Sequence, residues 1–116
     1  SMAFTETERA QYERILRNHV DNVRPPVEIR PKLDVGYEID GQSVYIVEIR
    51  PQWRNPEVIQ RSPYAKATFV RSKNQWNIYW MRSDLKWYAY DPLPKVKTLE
   101  RFLKIVHEDA YHCFKG

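Results

Sequence analysis

The stretch WNIYWMRSDLKWYAY, residues 76–90, carries six of the chain's 16 aromatic residues in 15 positions. Its large side chains fall into two sets of period 2 on either side of Arg82, Ser83, Asp84 and Leu85, which predicts a β-hairpin closed by a short turn. A turn of those residues sets Trp80 opposite Trp87, Ile78 opposite Ala89, Tyr79 opposite Tyr88 and Asn77 opposite Tyr90. One side of the hairpin is then apolar and the other rich in tyrosine. The preceding run, Ala65 to Arg71, turns back at residues 72–75 and places Phe69 against Ile78 and small Ala67 against bulky Trp80, a large-to-small match suited to a packed core. The reverse side of this trio collects Lys66, Thr68, Val70, Asn77, Tyr79, Met81, Lys86, Tyr88 and Tyr90.

Around this hairpin the chain has room for one domain. At 116 residues and 42% apolar content it buries roughly two-thirds of its unfolded surface without staples. No apolar run approaches the roughly 20 residues that span a bilayer, and the start lacks the basic-then-apolar pattern of a signal peptide. Ser1 ahead of Met2 reads as a tag remnant. The single cysteine, Cys113, makes no internal disulfide, which fits a reducing compartment and a cytoplasmic protein without a membrane partner. A net charge of +4 and a pI near 9.2 favour polyanions through non-specific attraction, but the cations are spread along the chain rather than gathered in a block.

Thr5 followed by Glu8 has the form of a capping box, so a helix starts there. Tyr12, Ile15, Leu16, His19, Val20 and Val23 form its apolar stripe, and Pro25 and Pro26 end it. From Val27 to Ile39 the odd positions are mostly apolar and the even ones mostly polar, which predicts a long half-buried strand interrupted at Pro31. Asp40 and Gly41 suit a type I′ turn, and a second strand follows from Ser43 to Arg50. Residues 51–64 hold three prolines, Trp53 and no alternation, and read as a long irregular connection. After Pro92 and Pro94, Thr98 caps a last helix with the stripe Leu99, Phe102, Leu103 and Val106. The expected fold is α+β: about five antiparallel strands in meander order, with an N-terminal and a C-terminal helix packed on one face.

The order of elements and the strings AFTETERAQYERILRNHV, IRPKLDVGY, VEIRPQW, YWMRSDLKWYAYDP and HEDAYHCFKG resemble an uncharacterised bacterial family of short α+β proteins, a domain of unknown function. The resemblance covers nearly the whole chain. It implies the same α+β architecture and brings no activity, cofactor or catalytic residue with it.

Function therefore rests on the residues. An exposed sheet face bearing Lys66, Tyr79, Met81, Arg82, Lys86, Tyr88 and Tyr90, with Trp53 at its edge, is a candidate binding surface. A protein partner, most simply a second copy in a homodimer, is the first expectation, because exposed apolar patches usually mark contacts. Single-stranded nucleic acid is the alternative, with rings stacking on bases and cations meeting phosphates. Asp34, Glu48 and Arg50 form a fainter pattern, that of a metal-dependent nuclease core. The residue two after the glutamate is usually lysine; arginine there stabilises an anion but is no base. A two-residue turn at Asp40 and Gly41 pairs Asp34 with Val47 and Glu48 with Leu33, which separates the carboxylates unless a bulge reunites them. A structural ion pair of Glu48 with Arg50 or Arg30 is the plainer expectation. Cys113 beside His112 matches no zinc signature, and His19 reads as a core or boundary histidine. No cofactor motif is present in the sequence.

Overall fold

The computed structural model describes residues 3–115, so Ser1 lies outside the described residues. Helix α1 spans Glu6–Val23 and starts at the expected capping box: Thr5 Oγ1 accepts from Glu8 N (3.2 Å) and Glu8 Oε1 accepts from Thr5 N (2.9 Å). Strands follow at Asp34–Asp40 (β1), Ser43–Pro51 (β2), Ile59–Val70 (β3), Gln75–Met81 (β4), Trp87–Ala89 (β5) and Lys95–Val96 (β6). Helix α2, Leu99–Glu108, closes the chain from a Thr98 cap whose hydroxyl accepts from Arg101 N. The sheet is an antiparallel meander β1-β2-β3-β4-β5, and the short β6 shares the outer edge of β4 with β5.

Both helices lie on one face of this sheet. Leu16 of α1 and Leu99, Phe102, Leu103, Ile105 and Val106 of α2 form one buried cluster with Val35, Val44, Ile46, Ala65, Ala67, Phe69, Trp76 and Ile78. Ala65 and Ala67 leave the room beside Phe69 and the tryptophans that a sheet packed under helices requires.

Four local expectations are corrected. Residues 27–33 form turns and not strand: Pro26 O accepts from Ile29 N, and Ile29 O accepts from both Lys32 N and Leu33 N. The alternation there does not report burial, since Val27 is 68% exposed. In the first hairpin the turn positions are Gly41 and Gln42, and only Gly41 has positive φ (61°), which fits a type II′ and not a type I′ turn. Asp34 therefore pairs with Ile49 rather than Val47, and Glu48 with Val35 rather than Leu33.

The long connection is the third correction, for β3 begins at Ile59 and the irregular part shrinks to residues 52–58. Pro63 sits within β3 opposite Val47, beside a bulge at Tyr64 that takes up the irregularity a proline imposes on a ladder. The fourth concerns registers. A turn of Arg71–Lys73 with Asn74 in the left-handed region (φ 48°) pairs Ala67 with Ile78 and Phe69 with Trp76, two residues away from expectation and hence on the same face. In the aromatic hairpin, however, the turn takes five residues, 82–86, with Leu85 at φ 63°, so the pairs are Tyr79 with Ala89, Trp80 with Tyr88 and Met81 with Trp87. A shift of one exchanges the faces of β5.

Candidate binding face of the sheet

The side of the sheet away from the helices is organised in cross-strand rows. One row runs Asp40, Ser43, Thr68, Asn77, Lys95, from a carboxylate on one edge of the sheet to an ammonium on the other. Ser43 and Thr68 share a hydroxyl hydrogen bond of 2.7 Å, while Asn77 Oδ1 is buried without a partner. The next row runs Glu38, Tyr45, Lys66, Tyr79, Ala89.

Lys66 is the centre of this second row. Its Nζ lies 5.2 Å from the Tyr79 ring and 5.8 Å from both Tyr45 and Trp87, and the Tyr45 and Trp87 ring centroids are 5.9 Å apart. Among the described residues no carboxylate lies within ion-pair distance of it. The ammonium is thus held by ring quadrupoles, each contact contributing on the order of 0.5–1 kcal/mol at a site open to water. Toward β1 the face is closed off. Arg61 reaches across Gly36 to pair with Glu38 (2.7 Å) and covers that stretch of strand with Val47 fully buried beside it. A Cβ on Gly36 would stand 3.0 Å from Ile49 Cδ1 and 3.3 Å from Arg61 Nη2, so glycine lets both side chains cross.

Of the residues expected on this face, Lys66, Tyr79 and, by strand parity, Met81 are there. Tyr90 is not: its amide still donates to Ile78 O (2.9 Å), and the one-residue shift puts its side chain on the helix side, where it is buried, 3% exposed, against Phe114 at 4.9 Å. Tyr88 turns to the side of Trp80, with the Arg82 guanidinium over both rings (4.8 and 5.5 Å) and its hydroxyl donating to Asp84. That hydrogen bond holds the Asp84 carboxyl below its ordinary range and raises the Tyr88 phenol. Lys86 closes the turn, its amide donating to Asp84. Trp53 stands in the 52–58 loop, 85% exposed, with Arg54 over its ring at 5.2 Å. Tyr45, Trp87 and Lys95 were missed. Tyr45 was legible in the parity of β2, but Trp87 needed the length of the turn.

The nuclease pattern does not assemble. Asp34 and Glu48 face opposite sides of the sheet, because Glu48 pairs with Val35 and Asp34 with Ile49. Arg24 binds Asp34 through two hydrogen bonds and depresses its pKa, and Arg50 pairs with Glu48 at 2.8 Å, the plainer arrangement. Among the described residues no three His, Cys, Asp or Glu side chains converge as metal ligands. Burial raises the Cys113 thiol, the reverse of an activated nucleophile. Burial also lowers the His19 pKa, with a further contribution from His107.

These features define a class: an α+β domain with an antiparallel sheet roofed on one side by two helices and bearing an aromatic and cationic opposite face. The chain belongs to the family described as Domain of unknown function (DUF3024), whose model matches residues 4–116. Comparison with curated proteins and with solved structures gave no match. No helix among the described residues is long and apolar enough to cross a membrane.

Proposed function

We propose that this domain is a non-catalytic binding module that presents the sheet face around Lys66 to a macromolecular partner, in the first instance a second copy of itself. The observation that carries the reading is the row from Asp40 to Lys95. Two such faces, related by a two-fold axis parallel to the strands, set each Asp40 over the Lys95 of the other copy and bring Tyr45 against Tyr79. An isologous contact needs this kind of self-complementarity. Lys66 stands near that axis, so the contact opposes two ammoniums, a repulsion that the rings of Tyr45, Tyr79 and Trp87 beside each offset in part. Light scattering tests the reading. The expected mass is that of a dimer, reduced to a monomer by Tyr79→Glu, and a monomeric wild type at micromolar concentration overturns it.

Single-stranded nucleic acid is the second reading, supported by the same ammonium, which has rings around it and no carboxylate beside it. Stacking of a base on Trp87, between Lys66 and Tyr45, would quench tryptophan emission, and phosphate contacts make affinity fall with salt. Unchanged emission on titrating an oligonucleotide at low salt removes this reading.

A further inference from the structure

A concave feature lies where the end of the sheet meets the β4–β5 turn and the segment after α2, and Met81 is the one residue it shares with the Lys66 face. That segment is folded back by Asp109, in the left-handed region at φ 43°, whose carboxylate accepts from Phe114 N (3.0 Å) and Lys115 N (2.9 Å). The hook seats Phe114 on Tyr90 and leaves a cleft of about 360 Å³ between itself and the turn. This lies within the roughly 300–1,000 Å³ usual for small-molecule sites.

The lining of the cleft specifies a ligand chemistry. Met81, Leu85 and Phe114 supply apolar wall, and Leu85 is held outward, 77% exposed, by its left-handed backbone. Arg82 and Lys115 supply two cations, and neither has a carboxylate within ion-pair distance among the described residues. The acids on the same segments are engaged elsewhere, Asp84 by the Tyr88 hydroxyl and the Lys86 amide, and Asp109 by the hook. Both cations rest on rings, Arg82 on Tyr88 and Lys115 on Tyr64 at 5.3 Å, which limits their freedom before any ligand arrives. Glu48 also lines the cleft, but from β2, with β3 between it and β4. It is paired with Arg50, and its charge repels an anion from that end.

We propose that this cleft binds a small organic anion with an apolar body, of the type of a medium-chain carboxylate, with its head held by Arg82 and Lys115 and its body along Met81, Leu85 and Phe114. The site shares only Met81 with the Lys66 face, and the dimer contact does not use Met81, so its failure leaves the module reading intact. The test is an NMR titration of the full chain with octanoate, compared with octylammonium and octanol. Saturable shifts of the Met81 and Leu85 methyl signals are expected with octanoate. Octylammonium should give none, and octanol should bind more weakly. The double variant Arg82→Gln, Lys115→Gln, in exposed residues that the fold does not need, should weaken octanoate about tenfold or more, as the loss of charge-assisted hydrogen bonds implies. Unshifted methyl signals, equal binding of octylammonium, or undiminished affinity in the double variant overturns the proposal.

Discussion

Arg71 grips Glu8 with both arms of its guanidinium, Nη1 to Oε2 at 2.7 Å and Nη2 to Oε1 at 2.9 Å, joining the β3–β4 turn to the first turn of α1. The same carboxylate completes the capping box with Thr5, so one side chain serves both the helix start and a contact 63 residues away. Arg71 and the Thr5 amide together hold the Glu8 pKa at about 2, against an ordinary 4.5.

This pairing predicts an acid limb in stability. A carboxylate whose pKa is depressed on folding contributes fully above its unfolded value, and that contribution is lost as pH falls from about 4.5 toward 2. His19 adds an earlier step. Its folded pKa lies below the ordinary 6.5, so the unfolded chain takes up the proton first and stability declines as pH drops beneath 6.5. Melting temperatures across pH should show both steps, with Glu8→Gln flattening the lower and His19→Gln the upper. A profile in which each variant tracks the wild type contradicts the assignment.

The capping box gives a second expectation. Thr5→Ala removes the acceptor for Glu8 N and should cost about 1 kcal/mol in urea unfolding, with the fold retained. Thr5→Ser should recover most of the loss.

The five-residue turn places Leu85 at φ 63°, where a side chain other than glycine is strained. Leu85→Gly relieves the strain while adding freedom to the unfolded chain, and the balance should be a gain of about 0.5 kcal/mol. A marked fall in the thermal midpoint is inconsistent with the turn described.

Tyrosines that look alike in sequence should differ in their contribution to stability. Tyr90→Ala opens a void against Phe114 and should destabilise the fold by about 3 kcal/mol. Tyr79→Ala, on the half-buried sheet face, should cost about 1 kcal/mol or less. Chemical denaturation of the two variants side by side decides the matter, and equal losses count against the placement of Tyr90 in the core.

The features legible from residue order alone are local. The capping box at Thr5 and Glu8, the Thr98 cap, the helix stripes, the proline stop at 25–26 and the period-2 runs each depend on neighbours a few residues apart, and from them the α+β class, the meander and the side covered by helices follow. A two-residue error of register in the first two hairpins left every face intact, because strand side chains repeat every second residue. An even shift leaves Asp34 and Glu48 on opposite sides, as in the expected register. The single-residue difference in the aromatic hairpin was of another kind: it brought Trp87 beside Lys66 and turned Tyr88 toward Trp80. Turn length there depends on the left-handed Leu85 and on Asp84 bonding to Lys86 and Tyr88, a conformation that the residue types of the turn leave open between four and five residues. The burial of Tyr90 likewise waits on Phe114, 24 residues onward, which the Asp109 hook returns to it. Which rings surround the lysine was settled by tertiary packing, because placing them requires contacts between segments far apart in the chain.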